Sequence, residues 1–320
     1  RGVPWGCAYC AGGFPDHGRQ ATRVTGKWTE RPEGGGRTAL RLLIAIALRF
    51  GRAPARLILY PVALYFMVRR GPERRASRAY LARVLGRPAT MRDGFRHVLN
   101  FAQVTLDRVF LLRDGLQRFE IQTTGLEDAH AAVALNRGVL VFGAHFGSFE
   151  VLRTLSLHRP DIQFRAVIDL EQNPSVSQLM NALNPELAAT VINARQAGPA
   201  VALAMKDALD QGAFVTLLAD RVRPGGRASE VDFLGSRAPF PIAPWAIAAA
   251  LGAPVVLCFG VYEGGNRYHL YFEVVAERIV RDRDGGRPLS EWIQSFADRL
   301  AARAREAPYN WFNFYDFWAG

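Results

Sequence analysis

A histidine and a glutamate five positions apart, His145 and Glu150, stand where an apolar run gives way to small residues: positions 138–150 read GVLVFGAHFGSFE. A neutral imidazole at the mouth of a buried strand can accept the proton of a substrate hydroxyl, and a nearby carboxylate can orient and stabilise it. That is the chemistry of general-base acyl transfer. Spacing alone is a weak signal, because six His and 29 acidic residues produce such pairs by chance. The setting adds to it. Val139, Leu140, Val141 and Phe142 form an apolar run of the kind found in strands covered on both faces. Gly143, Ala144 and Gly147 keep the turn thin, and the segment from Ser148 (SFEVLRTLSL) reads as a helix. Glu150 then falls in the first helical turn, where the macrodipole favours an ionised carboxylate. The competing reading makes His145 a helix cap or a satisfied core histidine, and Glu150 a solvated acid.

The elements around this turn alternate. Strands are expected at 138–142, 164–169, 190–193, 214–219, 254–261 and 268–274, with apolar-periodic helices at 199–209, 241–251 and 289–305. Alternation of this kind implies an α/β fold, a mostly parallel central sheet flanked by helices on both faces. Ligands in such sheets bind beyond the carboxyl ends of the strands. His145 and Asp220 each follow an expected strand, so both can face one cleft.

The block HFGSFE after GVLVFGA resembles the H-x4-D/E motif of the lysophospholipid and lipid A late acyltransferases. The resemblance continues in FVTLLADRVRPGG (214–226), in VDFLGSRAPFPIAPWAIAAALGAPVVLCFG (231–260) and in YNWFNFYDFW (309–318), in the family's order. It implies a glycerolipid-acyltransferase-like fold and a cytoplasm-facing enzyme of the inner membrane. Such an enzyme moves a fatty acyl group from an acyl carrier protein or coenzyme A thioester to a hydroxyl of a lipid or glycolipid, with no further cofactor and no metal. By the same resemblance His145 is the general base and Glu150 its partner, with no covalent acyl-enzyme. The family often has Asp-Gln or Asp-His where this chain has Asp220-Arg221, which leaves the acceptor open. Backbone N–H groups near residues 143–147 are candidates to hold the oxyanion.

Charge gives an independent line. The 320-residue chain carries a net charge of +11, and its first hundred residues hold 19 Lys plus Arg against five acids. The remainder is slightly acidic. Between 38 and 70, arginines are interleaved with large aliphatic and aromatic residues, a pattern that suits a membrane surface and not nucleic acid. On an ideal helix Arg41, Arg49, Arg52 and Arg56 share one side, with Leu43, Ile46 and Phe50 opposite. Gly51 and Pro54 are expected to break the segment into two short pieces. The cleanest apolar run, at 57–68, contains Pro61 and is shorter than the about 20 residues that spanning takes, so it is expected to lie on the membrane or dip into it. A buried helical hairpin packed on the catalytic domain is the alternative. The division expected is 1–37 as a disordered or atypical segment, 38–90 as membrane-associated helices and 91–320 as the acyltransferase domain.

Arg165, Arg221 and Arg237 are candidates to hold a phosphate of the acceptor or the donor's pantetheine arm, since guanidinium suits bidentate phosphate contact. Asp220 is a candidate to orient one of them. The Pro-punctuated segment 235–244 reads as a flexible loop and a candidate anion site, and the closing aromatics read as core by default, with interface anchors or an acyl-chain wall as the alternatives. Cys7 and Cys10 form a C-x-x-C without a second pair at zinc spacing, and Cys258 reads as a buried apolar residue. Two other functions share these features. A lipid ester or thioester hydrolase would use the same turn, although GAHFG has His where a nucleophile elbow needs Ser. A non-enzymatic membrane-binding module would use only the basic N-terminal third.

Overall fold

The computed structural model describes residues 37–133, 138–157, 163–170, 174–194 and 198–319. Four helices open it: α1 (Arg37–Phe50), α2 (Arg52–Arg69), α3 (Gly71–Leu85) and α4 (Met91–Asp114). There follow β1 (Glu120–Thr124), α5 (Leu126–Val133), β2 (Val139–Gly143), α6 (Phe149–Leu157), β3 (Phe164–Ile168), α7 (Pro174–Leu183), α8 (Pro185–Ala189) and β4 (Val191–Asn193). The second half holds α9 (Gly198–Asp210), β5 (Phe214–Leu218), β6 (Ala228–Phe233), β7 (Ser236–Pro241), α10 (Ala243–Leu251), β8 (Val255–Gly264), β9 (Arg267–Ala276) and α11 (Leu289–Glu306). The C-x-x-C cysteines lie outside the described residues.

Seven strands form the central sheet in the order β1-β9-β8-β2-β5-β3-β4. From β8 to β4 every pairing is parallel, and β9 runs antiparallel to β8. β2 lies at the centre and is buried along its whole length, which is why its sequence is uniformly apolar. Helices cover both faces. Leu140 and Phe142 of β2 join a core with Tyr80 of α3, Met205 of α9, Trp245 of α10 and Phe296 of α11. Val139 and Val141 point the other way, into a core with Leu59 of α2, Phe110 and Leu111 of α4 and Leu152 of α6.

Two elements differ from expectation. β1 was not foreseen because EIQTT is polar and lies at an exposed sheet edge. The segment at 235–244 is no flexible loop: β6 and β7 form an antiparallel hairpin with Leu234 and Gly235 at its tip, both at positive φ. Its prolines, Pro239 and Pro241, are tolerated because a two-stranded ribbon leaves their nitrogen side unpaired.

The N-terminal helices pack on the body by one face. Ala55, Leu59, Ala63 and Met67 of α2 are buried, while Leu57, Tyr60, Leu64, Tyr65 and Val68 on the opposite face are exposed. Gly51 breaks α1 from α2, whereas Pro54 sits in the first turn of α2, where its missing N–H costs nothing. Arg52 and Arg56 do not point outward. Arg52 grips Asp107 of α4 through Nε and an η nitrogen at 2.7 and 2.8 Å, and Arg56 donates to the Tyr262 hydroxyl at 2.6 Å. These two arginines fasten α2 to the body and are not available to a lipid phosphate. Among the described residues no helix is long and apolar enough to cross a membrane.

Candidate active site

β2 and β5 are adjacent and parallel, with Gly143 opposite Leu218, so the chain leaves both strands at the same edge of the sheet. The Ala219 N–H donates to the Gly143 carbonyl at 2.9 Å and carries the pairing one step further. His145 and Asp220 follow directly. His145 Nδ1 lies 2.8 Å from Asp220 Oδ1, and the His145 backbone N–H donates to Oδ2 at 3.1 Å. Trp311 Nε1 and Asn313 Nδ2 donate to the same Oδ2 at 3.1 and 3.4 Å. A carboxylate with no exposed surface needs this many donors to remain charged. Burial pushes the Asp220 carboxyl up, but the His145 imidazole, Arg221 and the hydrogen bonds outweigh it and hold the group well below the usual range.

An ionised carboxylate only accepts, so the shared proton sits on Nδ1 and leaves the Nε2 lone pair of the neutral imidazole available. Burial and the nearby Arg221 lower the His145 pKa from 6.5, against the opposing pull of Asp220, and Arg108 adds to the lowering. The imidazole is therefore unprotonated at neutral pH. Its side chain is 32% exposed, while that of Asp220 is sealed. The pair has the arrangement of a general base, with a buried orienting acid behind a ring that solvent or substrate reaches.

The turn itself is fixed by close backbone contacts. Gly147 has φ +57°, and a Cβ there would lie 1.8 Å from the Gly260 carbonyl oxygen. Its N–H donates to Asn310 O at 2.7 Å, and that of Ser148 to Gly260 O at 2.8 Å. The Phe146 N–H meets Ala144 O at 2.6 Å. With the His145 N–H on Asp220, the backbone donors from 145 to 148 are all committed within the protein. Of the residues expected to hold the oxyanion, 145 to 147 therefore have their N–H groups on the protein's own acceptors.

Glu150 takes a different place from the one expected. It stands in the first turn of α6 as foreseen, but no hydrogen bond or ion pair joins it to His145 among the described residues. Its carboxylate instead lies 3.2 Å from Arg153 and 3.7 Å from Arg108. Asp220, expected to orient an arginine, is the partner of the histidine. Arg221 does adjoin the site: Nε donates to Asn313 Oδ1 and an η nitrogen to Phe312 O, both at 2.7 Å, so it braces the C-terminal segment. Among the described residues the Arg165 side chain meets only the Phe164 carbonyl, at 3.4 Å, and Arg237 stays within the hairpin on Asp232 and the Glu230 carbonyl. No contact joins either to His145 or Asp220 among the described residues. A cavity of about 390 Å³ lined by Arg87, Arg92, Asp93, Arg96 and Tyr309 includes neither of these site residues.

The closing aromatic segment, a block of the family resemblance with core as its default reading, delivers Trp311 and Asn313 to the site. Trp311 is fully buried against Tyr80, Phe233 and Phe317, and its indole N–H reaches the site. Asn310 and Asn313, polar residues within an otherwise aromatic run, are the signal that could have marked the segment as more than core. Asn310 exchanges two hydrogen bonds with the Tyr262 backbone, and Asn313 bridges Arg221 and Asp220. Behind them, the fully buried His97 of α4 links Ser77 (2.8 Å) to the Trp311 carbonyl (2.9 Å). Burial lowers the His97 pKa to about 4. Among the described residues no cluster of three or more His, Cys, Asp or Glu is placed to hold a metal ion.

Comparison with curated proteins yields no match. A family model described as bacterial lipid A biosynthesis acyltransferase matches residues 44–319, a span that takes in the His145 turn, Asp220 and the C-terminal aromatic segment. This excludes a purely non-enzymatic membrane module and favours transfer over hydrolysis: the chain belongs to the bacterial lipid A biosynthesis acyltransferase family, and it is an acyltransferase.

Proposed function

We propose that this chain transfers a fatty acyl group from an acyl carrier protein or coenzyme A thioester to a hydroxyl of a lipid or glycolipid, with His145 as general base. His145 Nε2 takes the acceptor's hydroxyl proton as that oxygen attacks the thioester carbonyl. The π pair moves to the carbonyl oxygen, then returns as the C–S bond breaks, and the departing thiolate takes the proton from His145. Asp220 fixes the ring and stabilises the imidazolium that forms between the two steps. The observation that carries this reading is the 2.8 Å contact between a sealed, charged Asp220 and a partly exposed His145.

The same reading puts the protein on the inner membrane with its catalytic domain on the cytoplasmic side. The exposed apolar face of α2 supports it, together with exposed Arg49, Arg69 and Arg75 around that face. The helix lies in the interface and enters one leaflet with Leu57, Leu64 and Val68.

Comparing the lipids of cells with and without the protein identifies the acceptor by its mass increase of one acyl chain. His145→Ala is expected to keep the fold and vesicle binding and to lose transfer by about a hundred- to ten-thousand-fold. Near-normal transfer by that variant ends the general-base reading. Free fatty acid without an acylated lipid makes the protein a hydrolase.

A further inference from the structure

Three arginines and one carboxylate meet where α3 ends and α4 begins. The cavity of about 390 Å³ there is lined by Arg87, Thr90, Arg92, Asp93, Arg96 and Tyr309, a volume in the range of small-ligand sites. Asp93 is fully engaged. Arg87 grips it at 2.8 and 3.1 Å, the Thr90 N–H and hydroxyl donate to Oδ2 at 2.8 and 2.7 Å, and the Tyr309 hydroxyl donates to Oδ1 at 2.8 Å. Arg87 and these donors hold its carboxyl well below the usual range, so it stays charged. Arg92 and Arg96 have no part in this network. Both are exposed, and neither makes a hydrogen bond or ion pair among the described residues. Arg96 lays its guanidinium over the Tyr309 ring, 4.4 Å from the centroid, which leaves its N–H edge free. Standing one turn apart on α4, the two cations repel each other and weaken the helix unless an anion sits between them.

The cleft adjoins the exposed apolar face of α2. Tyr60 on that face packs against Phe95, with ring centroids 6.4 Å apart, and Phe95 immediately precedes Arg96 on α4. At the same turn a Cβ on Gly94 would lie 3.0 Å from the Met67 side chain, so α2 and α4 approach closely there. Met91, at the start of α4, is exposed as well. Two free cations beside an apolar surface suit an amphiphile better than a soluble anion. Their charge is balanced by a phosphate monoester, which carries about −1.5 to −2 at neutral pH and offers three acceptor oxygens to guanidinium forks. We propose that this cleft binds the phosphate monoester headgroup of a membrane lipid, held by Arg92 and Arg96, with the lipid's chains along Tyr60 and Leu64 of α2. Arg87 and Tyr309 shape the cleft through Asp93. The cleft includes neither His145 nor Asp220; it holds a headgroup and performs no step of the transfer. This assignment rests on the reading of α2 as lying in the membrane interface.

The test measures sedimentation of the full chain with phosphatidylcholine vesicles carrying phosphatidic acid, against vesicles brought to the same surface charge with phosphatidylglycerol, whose phosphate is a diester. The wild type is expected to bind the first about tenfold more tightly, since paired charge-assisted hydrogen bonds separate the two headgroups where surface potential does not. Arg92→Gln/Arg96→Gln changes two exposed side chains, should keep the unfolding midpoint and should lose that preference. Arg49→Gln/Arg69→Gln, which removes the same charge elsewhere around α2, should weaken binding to both vesicles alike and keep the preference. If the loss of Arg96 from the Tyr309 ring lowers the midpoint, Arg92→Gln alone, which has no partner to lose among the described residues, decides in its place. A preference retained by the Arg92 and Arg96 variants, or abolished equally by Arg49→Gln/Arg69→Gln, overturns the proposal. Inorganic phosphate bound in calorimetry by the wild type and not by Arg92→Gln/Arg96→Gln, without any vesicle preference, makes the cleft a soluble-phosphate site and overturns it too. Acyl carrier protein bound in that same pattern makes it a protein-docking surface, with the same consequence. Equal binding of both vesicles by the wild type removes only this proposal, whereas no binding to either removes the interface reading of α2 on which it stands.

Discussion

Acidification is expected to loosen the scaffold behind the active site before the surface carboxylates titrate, and His97 is the group responsible. Its ring is fully buried, its Nε2–H donates to the Trp311 carbonyl, and its Nδ1 accepts from Ser77, so the fold holds the neutral form. The folded pKa of about 4 lies below the ordinary 6.5. The unfolded chain therefore takes up the proton first as pH falls, and stability is lost from about pH 6.5 downward until it levels near 4. The difference corresponds to about 3 kcal/mol in full, of which about 2 kcal/mol falls between roughly pH 7 and pH 5. Urea unfolding at those two pH values measures it. His97→Gln is less stable throughout, since it disturbs a packed site, but its stability should change less across the interval by about that amount. His145 adds a loss of the same sign, which both proteins share. An equal pH dependence in the two would show that His97 is not held neutral, and the link from α4 to Trp311 would lose its physical basis.

Other expectations follow from the same contacts. Asp220→Asn should fold yet lose about three to four orders of magnitude in kcat, because the imidazole loses its orienting anion. Its residual activity should have an acidic limb displaced to lower pH, because the carboxylate that raises the His145 pKa is gone. A rate near wild type would return the partner role to Glu150. Gly147→Ala should lower stability by about 2–4 kcal/mol in thermal or urea unfolding, from the positive φ and the approach to Gly260 O combined. An unchanged midpoint would contradict the described turn. Replacing Leu57, Leu64 and Val68 together by Ser should leave the unfolding midpoint nearly unchanged, since all three are exposed, while reducing sedimentation with anionic phospholipid vesicles. Undiminished vesicle binding would take α2 out of the membrane contact.

Apolar runs made β2, β5 and β8 legible in the sequence, because strands covered on both faces leave no room for polar alternation, while β3, β4 and β9 were legible as short or alternating apolar stretches. β1 is an edge strand with four of its five residues exposed, and the hairpin β6–β7 places prolines where a central strand forbids them, so neither announced itself. His145 was legible from its setting. Its partner was not, although Asp220 was placed at a strand end. What joins them is the adjacency of β2 and β5, strands separated by α6, β3, α7, α8, β4 and α9 along the chain, and strand order is a property of the packed sheet that no local pattern encodes. The arginine stripe of α1 and α2 shows the converse. Helical periodicity put Arg52 on one side correctly, but only the position of Asp107 on α4 shows that this side faces protein.

The two acids near the histidine differ in what burial demands of them. Asp220 sits at the end of a central strand, where its carboxylate can be reached only by groups that the sheet edge and the C-terminal segment deliver, namely His145, Trp311 and Asn313. These are one titrating group and two neutral donors. A buried anion so surrounded, with the charge of Arg221 nearby, remains ionised, which suits a group that must stabilise an imidazolium for only part of each turnover. Glu150 starts a helix whose next turn brings Arg153 and whose neighbour brings Arg108, both permanently charged. Among the described residues its contacts with them are ion pairs without hydrogen bonds, and Oε1 is buried with no hydrogen-bond partner. Placed where it is, it can hold two guanidinium groups side by side in spite of their repulsion. The fold thus gives the two acids different partners, His145 on Asp220 and the Arg108 and Arg153 guanidinium groups on Glu150.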